Sequence, residues 1–449
     1  MKSAFLIAAP HSGSGKTTIA RGLMALFSRM GYTVQPFKCG PDYIDTKFHE
    51  RVCGRPSVNL DSFFASEEHL RHLFAQYTED ADIAIVEGMM GLFDGYDRDR
   101  GSSYEIARIL GLPVVLVVDA RSAAYSMAAL LSGFINFRRD LRLAGVIYNK
   151  VGSERHFQML RQVCDELHVP CLGYLPKQTE LETASRYLGL DFTAPFLSSH
   201  EGGELSLESL FEEHIDWRAI VNNSIPEAQE HRKSVPPSLG EGQGVGFLVA
   251  RNAESFSFLY QETLDHLTAL GPVDFFDPED QHFQHSIFNS QFIYLPGGYP
   301  EKHLEALAGN EACRRAIRDF AEQGGHIVAE CGGMMYLCQS IVTDDGEYPM
   351  CGVLPYKISA RKADRKLSLG YRRFTLDGKE YRGHEFHYTQ LANQGSPLQG
   401  DCPLCEQRSE LHGACPPSVQ VYNAKGEPVN TLVFRYKNVL ASYTHLYHL

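Results

Sequence analysis

The stretch that decides the fold is Ala4–Thr18, AFLIAAPHSGSGKTT, near the start of a chain of 449 residues. A strand-length apolar run, Ala4–Ala9, leads into a loop of glycines and serines, and an amphipathic helical pattern follows from about Thr17 to Met30. A phosphate-binding loop has this strand–loop–helix order, because glycines let backbone N–H groups approach phosphates and the helix N-terminus favours anions.

The lysine and the first hydroxyl of this loop have distinct expected roles. Lys16 would neutralise the β- and γ-phosphates of ATP, and Thr17 would reach a magnesium ion. The strict pattern has a glycine where this chain has Pro10, so the loop resembles the variant of dethiobiotin-synthetase-like ATPases. The loop residues predicted to bind ATP are Ser12, Gly13, Ser14, Gly15, Lys16, Thr17 and Thr18.

Alternation of apolar runs and helical patterns continues along the first half of the chain. Strand candidates at Ile83–Glu87, Pro113–Asp119 and Leu143–Asn149 are each followed by a loop and a helix. This order predicts a parallel sheet with helices on both faces. Ligands of such a sheet bind at the carboxyl ends of its strands.

The strand pattern weakens between Ser198 and Gln243, where glutamate, serine and proline are frequent, and it restarts at Gly246–Ala250. We therefore predict an α/β ATP-binding domain over residues 1–197 and a second α/β domain over residues 244–449. The interval 198–243 is predicted to be a linker with one or two helices.

Composition restricts the class of protein. Hydrophobic residues make up 43% and charged residues 22%, which is ordinary for a globular protein, and the formal net charge is −13. That charge disfavours nucleic acid and anionic membranes as partners. Eleven scattered cysteines and the absence of a signal-peptide pattern or a long apolar run predict a cytoplasmic protein.

Polar residues lie at the ends of three predicted strands. Lys38 and Asp45 flank the Gly-Pro turn of FKCGPDYID, and Glu87 ends a later strand. Because magnesium prefers carboxylate and phosphate oxygens, Thr17, Asp45 and Glu87 are predicted metal ligands, and Lys38 is predicted to contact phosphate. Asn149 ends a further strand, where its amide would either read an adenine edge or cap a loop.

A second set of motifs predicts a cysteine nucleophile. Cys331, in AECGG, follows the apolar strand 326–329 and precedes a helical pattern, the arrangement of a nucleophile elbow. The helix N-terminus would lower the pKa of its thiol. Gly297 and Gly298 end another strand and would form an oxyanion hole. His445 ends the last strand, and a Cys–His pair can form and hydrolyse a thioester.

These motifs, in this order, resemble the cobyrinic acid a,c-diamide synthase family over nearly the whole chain. The matching segments are the loop around Lys16, Phe37–Asp45, Val86–Gly95, Gly145–His156, Pro296–Glu301, Glu330–Gly333, Gly383–Tyr388 and Ala441–His445. The resemblance implies an N-terminal P-loop domain with a parallel sheet and a C-terminal class I glutamine amidotransferase domain of α/β type.

The resemblance also implies a reaction. Glutamine is hydrolysed at the cysteine, and its ammonia reaches the other domain, where ATP and Mg²⁺ have activated a carboxylate as an acyl phosphate. The a and c carboxylates of a corrin-type tetrapyrrole are amidated in sequence. Asp42, Tyr43, Ile44 and Asp94 would contact this substrate, and Gly383–Tyr388 would shape the domain interface or the corrin cleft. A homodimer is the candidate oligomer.

This chain departs from the family pattern at several positions. Amidotransferases with a full triad carry a glutamate where this chain has Tyr447, so we expect a Cys–His dyad. The family's Arg-His-Leu-Gly-Leu motif reads Arg-Tyr-Leu-Gly-Leu at 186–190, and its Arg-Asp pair reads Arg251-Asn252. These changes affect the choice of substrate and leave the reaction class unchanged.

Several alternatives remain open from the sequence. The same amidation could act on hydrogenobyrinic acid or nickel-sirohydrochlorin, and a related synthetase amidates the b, d, e and g positions but lacks GPDYID. A partitioning-type switch ATPase has a lysine where this chain has His11, and it has no glutaminase domain. An inactive paralogue would not need Lys16, Glu87, Cys331 and His445 all in place.

One further cluster falls outside the family pattern. Cys402, Cys405, His412 and Cys415 follow the spacing C-x2-C-x6-H-x2-C. Four soft ligands in a short loop could hold tetrahedral zinc. An irregular loop with reduced cysteines is the alternative.

Overall fold

The computed structural model describes residues 3–177, 207–224, 246–282, 287, 290–392 and 419–448. The chain divides into two units, Met1–Ser234 and Val235–Leu449, and each has its own hydrophobic core. Among the residues that the structure describes, no helix has both the length and the apolar composition needed to cross a bilayer.

A seven-stranded parallel sheet forms the centre of the first unit, with strand order β3-β2-β4-β1-β5-β6-β7. The strands are β1 Ser3–Ala8, β2 Val34–Cys39, β3 Val58–Leu60, β4 Ile83–Glu87, β5 Val114–Asp119, β6 Leu143–Val151 and β7 Cys171–Pro176. Every residue of β1, β2 and β4 is buried, as expected for strands covered on both faces. The predicted parallel sheet is confirmed.

Helices connect these strands, and several begin at side-chain caps. They are α1 Lys16–Arg29, α2 Asp45–Cys53, α3 Glu67–Thr78, α4 Ser103–Leu110, α5 Met127–Phe137, α6 Glu154–Glu166, α7 Leu207–His214 and α8 Trp217–Asn223. Ser66, Ser102 and Ser153 each accept a hydrogen bond from the backbone N–H three residues later. Helix α1 instead starts after Gly15, which has no side chain to cap it, and a phosphate can take that place.

Helices α7 and α8 fall inside the interval that we expected to be a linker. Their residues Phe211 and Ile220 are fully buried in the core of the first unit. A Cβ on Gly22 of α1 would lie 2.2 Å from the ring of Phe211, so the two helices are in close contact. The backbone of Ser224 accepts a hydrogen bond from the N–H of Ala4 at 2.9 Å. We therefore propose that the first domain extends through Ser224 and that the linker follows it.

The second unit is built on a six-stranded sheet of order β20-β21-β11-β10-β8-β9, parallel except for the β20–β21 pair. Two smaller sheets accompany it, β13-β12-β14-β17 and β19-β18-β15-β16-β22. The strands are β8 Phe247–Ala250, β9 Val273–Phe276, β10 Phe292–Leu295, β11 His326–Glu330, β12 Ser340–Val342, β13 Glu347–Pro349, β14 Lys357–Ser359, β15 Ser368–Leu376, β16 Lys379–His387, β17 Gln390–Leu391, β18 Val421–Tyr422, β19 Pro428–Val429, β20 Val433–Tyr436, β21 Val439–Ser442 and β22 His445–Leu446.

The helices of this unit are α9 Gln261–Leu270, α10 Leu304–Gly309, α11 Glu311–Glu322 and α12 Gly332–Leu337, with 3-10 turns at Pro300–Lys302 and Lys362–Asp364. The predicted second α/β domain is confirmed. The two smaller sheets were not predicted, because their short strands have little periodicity of their own.

Candidate active sites

Three adjacent strands of the first unit bring its predicted polar residues together. In the sheet register, Lys38 of β2 lies beside Glu87 of β4, and Glu87 lies beside Ile7 of β1. The phosphate-binding loop follows β1. The carboxyl ends of parallel strands meet at one edge of a sheet, so these residues share a single site.

The backbone of the phosphate-binding loop has two left-handed glycines, Gly13 with φ 80° and Gly15 with φ 100°. A Cβ at Gly15 would lie 2.0 Å from Nδ2 of Asn149, which donates a hydrogen bond to the carbonyl of Ser14 at 2.9 Å. The Oδ1 of Asn149 accepts from the N–H of Lys150 at 2.9 Å. In this arrangement the Asn149 amide supports the loop, and a contact with adenine would require these bonds to be exchanged.

Lys16 is largely buried and donates a hydrogen bond to the carbonyl of Met90, a residue with φ 51°. Burial, together with the nearby charge of Lys38, lowers the pKa of Lys16. The loop that carries Met90 is closed by Asp94, whose Oδ2 accepts from the N–H of Gly91 at 2.9 Å. The predicted substrate residue Asp94 thus lies in the loop that holds the lysine.

A cation already bridges the predicted metal ligands. The Lys38 ammonium lies 2.8 Å from Oδ2 of Asp45 and 3.0 Å from Oε1 of Glu87. The Thr17 hydroxyl donates to the same Glu87 oxygen at 2.6 Å. Burial alone would lower the pKa of Lys38, but the two carboxylates raise it. A hydroxyl and two carboxylates around one cationic position fit the ligand chemistry of Mg²⁺.

Two residues that were not predicted complete this cluster. Nε2 of His49 lies 2.7 Å from Oε2 of Glu87, and both side chains are fully buried. Arg21 donates to Oδ1 of Asp45 at 2.9 Å. His49 could have been predicted from the sequence, because Asp45 starts α2 and a residue four positions later lies on the same helix face.

The predicted substrate segment turns sharply before α2. Oδ1 of Asp42 accepts from the N–H groups of Ile44 at 2.8 Å and Asp45 at 2.9 Å. Its other oxygen lies 3.9 Å from Nζ of Lys38, and Tyr43 is buried. Asp42 therefore shapes the turn that presents Asp45, and its contact with substrate remains a prediction.

In the second unit, β10, β11 and β21 converge on the predicted nucleophile. Leu295 pairs with Ala329, and Glu330 pairs with Ser442. Cys331 follows β11 with φ 46° and ψ −107°, an uncommon backbone for a residue other than glycine. Its N–H donates to the carbonyl of Ser442 at 2.7 Å. This is the geometry of a nucleophile elbow.

The Gly-Gly turn packs against both the cysteine and the histidine. A Cβ at Gly297 would lie 2.1 Å from Cε1 of His445, and a Cβ at Gly332 would lie 2.9 Å from the carbonyl of Gly298. Only glycine permits these approaches. The structure therefore places the Gly297–Gly298 turn against His445 and against the residue that follows Cys331. The catalytic roles of Cys331 and His445, and the oxyanion hole at Gly297 and Gly298, remain predictions.

Burial controls the charge of both reacting groups. It raises the pKa of the Cys331 thiol, and the carboxylate of Glu301 adds to the effect. The expectation that the helix N-terminus would lower this pKa is wrong, since α12 has only six residues and burial outweighs its dipole. Burial, with the charges of His384 and His387, lowers the pKa of His445 to about 3. Thiol and imidazole are both neutral near pH 7.

The position of a triad glutamate is occupied by Tyr447, which is buried with its ring centroid 5.2 Å from that of Tyr260. The nearby carboxyl group of Glu330 accepts from the N–H of Leu446 at 3.1 Å and from the hydroxyl of Tyr294 at 2.8 Å. Burial raises the pKa of Glu330 to about 8. Glu330 thus connects the cysteine strand to the histidine segment.

Two predictions cannot be placed. Cys402, Cys405, His412 and Cys415, the candidate zinc ligands, lie outside the described residues, as does the segment 186–190.

Two protein-family models match the two units. The CobQ/CobB/MinD/ParA nucleotide binding domain matches residues 5–188, and the CobB/CobQ-like glutamine amidotransferase domain matches residues 249–449. These are the units in which the phosphate-binding loop and the cysteine elbow lie.

Curated relatives match most of the chain. A cobyrinate a,c-diamide synthase of Caldanaerobacter subterraneus is 40% identical over 86% of this chain and 86% of its own length. A hydrogenobyrinate a,c-diamide synthase of Mycobacterium tuberculosis is 39% identical over 87% of this chain and 86% of its own length. A cobyrinate a,c-diamide synthase of Listeria monocytogenes is 39% identical over 86% of each chain. The protein described here belongs to the a,c-diamide synthase family.

Proposed function

We propose that this protein is an ATP-dependent, glutamine-hydrolysing ligase that amidates the a and c carboxylates of cobyrinic acid in cobalamin biosynthesis. The observation that carries the proposal is the pairing of two sites in one chain. One unit holds the Lys38 ammonium between Asp45 and Glu87 beside a phosphate-binding loop. The other packs the Gly297–Gly298 turn against both His445 and the residue that follows Cys331.

Glutamine hydrolysis uses the second unit. The neutral imidazole of His445 takes the proton of the Cys331 thiol as sulfur attacks the carboxamide carbon of glutamine. The N–H groups beside Gly297 and Gly298 stabilise the negative oxygen that forms. The C–N bond then breaks, and ammonia leaves with the proton from His445. Water, deprotonated by His445, hydrolyses the thioester to glutamate and restores the thiol.

Carboxylate activation uses the first unit. A substrate carboxylate oxygen attacks the γ-phosphorus of ATP, the bond to ADP breaks, and an acyl phosphate forms. Lys16 and Lys38 balance the charge of the transferred phosphoryl group. Ammonia then attacks the acyl carbon, and phosphate leaves as the amide forms.

We propose that Thr17, Asp45 and Glu87 hold Mg²⁺. When it is bound, the ion neutralises phosphate charge and orients the transferred group. The Lys38 ammonium lies between the carboxylates of Asp45 and Glu87. An ion held by these residues would leave Lys38 to contact phosphate oxygens.

Asp42, Tyr43, Ile44 and Asp94 are the proposed contacts to the tetrapyrrole, because they lie on the loops around Lys16 and Lys38. The relatives include synthases named for cobyrinate and for hydrogenobyrinate, so the second macrocycle is the main alternative substrate. Eleven scattered cysteines support a cytoplasmic location, and the formal charge of −13 disfavours nucleic acid and anionic membranes as partners. A homodimer is the proposed assembly.

The proposal is tested by incubating the protein with ATP, Mg²⁺ and glutamine labelled with ¹⁵N in its amide, in parallel with cobyrinate and hydrogenobyrinate. Mass spectrometry should show a diamide with two labelled nitrogens from cobyrinate. A faster reaction of hydrogenobyrinate would show that hydrogenobyrinate is the preferred substrate of the same amidation reaction. No amide from either macrocycle would contradict the proposal.

A further inference from the structure

The segment Gly383–Tyr388, with the sequence GHEFHY, contacts both members of the cysteine–histidine pair. Most of it lies in β16. The carbonyl oxygen of Phe386 lies 3.9 Å from Sγ of Cys331, within reach of a weak S–H hydrogen bond. Strand β16 pairs with β22, where His384 lies opposite His445. Within the second unit, this motif therefore belongs to the surroundings of the thiol.

Close backbone packing supports this placement. A Cβ at Gly383 would lie 2.1 Å from the carbonyl oxygen of His445. No larger residue fits there without moving the histidine strand. The position of His445 thus depends directly on the position of β16.

A buried cluster of polar groups fixes β16. One carboxylate oxygen of Glu385 lies 2.7 Å from Nε2 of His387. The other accepts from Thr431 at 2.5 Å and from Nε of Arg372. Burial alone would raise the pKa of Glu385, but these hydrogen bonds and the guanidinium charge lower it to about 2. The carboxylate is held in one orientation by three partners from different strands or loops.

His387 extends this cluster to the histidine segment. Its Nδ1 lies 2.8 Å from the carbonyl of Thr389. Its ring stacks on Tyr443 with centroids 3.6 Å apart and an interplanar angle of 12°. The hydroxyls of Tyr443 and Thr389 are 3.1 Å apart. Because Tyr443 precedes His445 by two residues, His387 connects the Phe386 backbone to the segment that carries the general base.

We propose that Glu385 and His387 are positioning residues for glutamine hydrolysis. They hold the Phe386 carbonyl beside the Cys331 sulfur and the His445 segment against β16, so that thiol and imidazole face the same carboxamide. This inference rests on the proposed glutaminase role of Cys331 and His445. Reaction geometry of this kind is sensitive, since a displacement of about 1 Å can cost on the order of 10²-fold in rate.

The test compares His387→Ala with His387→Gln, whose amide can still donate to Glu385. His387→Ala should lower kcat for glutamine-dependent amidation roughly 10- to 100-fold, with KM for glutamine nearly unchanged. Amidation supplied with ammonium chloride should stay within about twofold of wild type, because the synthetase unit is untouched. His387→Gln should recover much of the glutamine-dependent rate.

A second readout reports on the thiol itself. A diazoketone analogue of glutamine labels a correctly oriented cysteine, and mass spectrometry identifies the labelled Cys331. Labelling should slow in His387→Ala by about the same factor as kcat. Glu385→Gln provides an isosteric variant with the same expected loss, in case His387→Ala does not fold.

Tyr381→Leu is the matched control. Tyr381 lies on the same strand and stacks on Phe374, outside the Glu385 cluster. It should leave both rates and the labelling unchanged. Equal losses in Tyr381→Leu, parallel loss of ammonia-dependent amidation, or wild-type labelling in His387→Ala would each overturn the inference. Retained glutamine-dependent activity in Cys331→Ala would instead contradict the proposed function.

Discussion

The nucleotide end and the ammonia end of this protein are built on the same plan and differ in charge. Each lies at the carboxyl edge of a parallel sheet, and each contains a buried glutamate with a histidine nitrogen 2.7 Å away, His49 with Glu87 and His387 with Glu385. At the nucleotide end the glutamate is itself a predicted metal ligand and accepts a hydrogen bond from a second one, Thr17. At the ammonia end it lies beside the reacting groups, which burial keeps neutral.

This difference matches the chemistry of each end. Phosphoryl transfer moves negative charge, so it needs fixed cations and cation ligands around the phosphates. Glutamine hydrolysis starts with proton transfer between a neutral thiol and a neutral imidazole, and it must release ammonia rather than ammonium, which is not a nucleophile. Charged groups around the phosphates in one unit, and neutral reacting groups in the other, keep the two requirements apart.

The largest effect is expected from Glu87→Gln, which removes a negative charge at the nucleotide end. Glu87→Gln keeps the shape of a side chain that contacts Thr17, Lys38 and His49, but it removes the carboxylate. Amidation should fall roughly 10²- to 10³-fold with glutamine and with ammonia alike, as measured by initial rates. A loss confined to glutamine-dependent amidation would contradict a role of Glu87 in ATP-dependent activation of the carboxylate. Far-UV circular dichroism and a thermal melt of the variant serve as the folding control.

Lys38→Met should lower the rate of amidation and raise the affinity for Mn²⁺. The variant loses a cation that contacts phosphate, so amidation should fall at least tenfold. It also loses the ammonium that neutralises Asp45 and Glu87, so Mn²⁺ should bind more tightly in the absence of nucleotide. Titration followed by electron paramagnetic resonance measures that affinity. Unchanged or weaker binding of Mn²⁺ would show that Lys38 does not occupy the metal position.

Many of the residues at the two ends could be predicted from the local sequence. The phosphate-binding loop, Glu87 and Cys331 follow strands directly, and parallel strands carry their end residues to one edge. His49 was missed although it lies one helical turn after Asp45. The neutral state of Cys331 could not be predicted, because it depends on burial by distant segments such as the one that carries Phe386. Local pattern identifies the reacting residues, and tertiary packing sets their charge.

The smallest expected effect concerns pH and the ammonia end. The pKa of His445 is lowered to about 3 in the folded protein, below the usual value near 6.5. Its imidazole takes up a proton on unfolding between these values, so its contribution to stability is complete above about pH 6.5 and is lost as the pH falls toward 3. His445→Gln should therefore lose less stability than wild type between pH 7 and pH 5.

Thermal melts at the two pH values measure this difference. Comparison with the variant is needed because Glu330, with a pKa raised to about 8, has the opposite dependence and destabilises the fold as the pH rises. Identical pH dependence in wild type and His445→Gln would mean that the imidazole is not kept neutral by burial.

The separation of the two chemistries is tested most directly by Cys331→Ala, supplied with cobyrinate, ATP and Mg²⁺ and given either ¹⁵N-amide glutamine or ¹⁵N ammonium chloride. The measurement is the labelled nitrogen in the corrin product. We predict that glutamine label falls on the order of 10³-fold or more, while label from ammonium stays within about twofold of wild type. Substantial glutamine label in the variant, or loss of label from both donors, would contradict a glutaminase and a synthetase working in separate units.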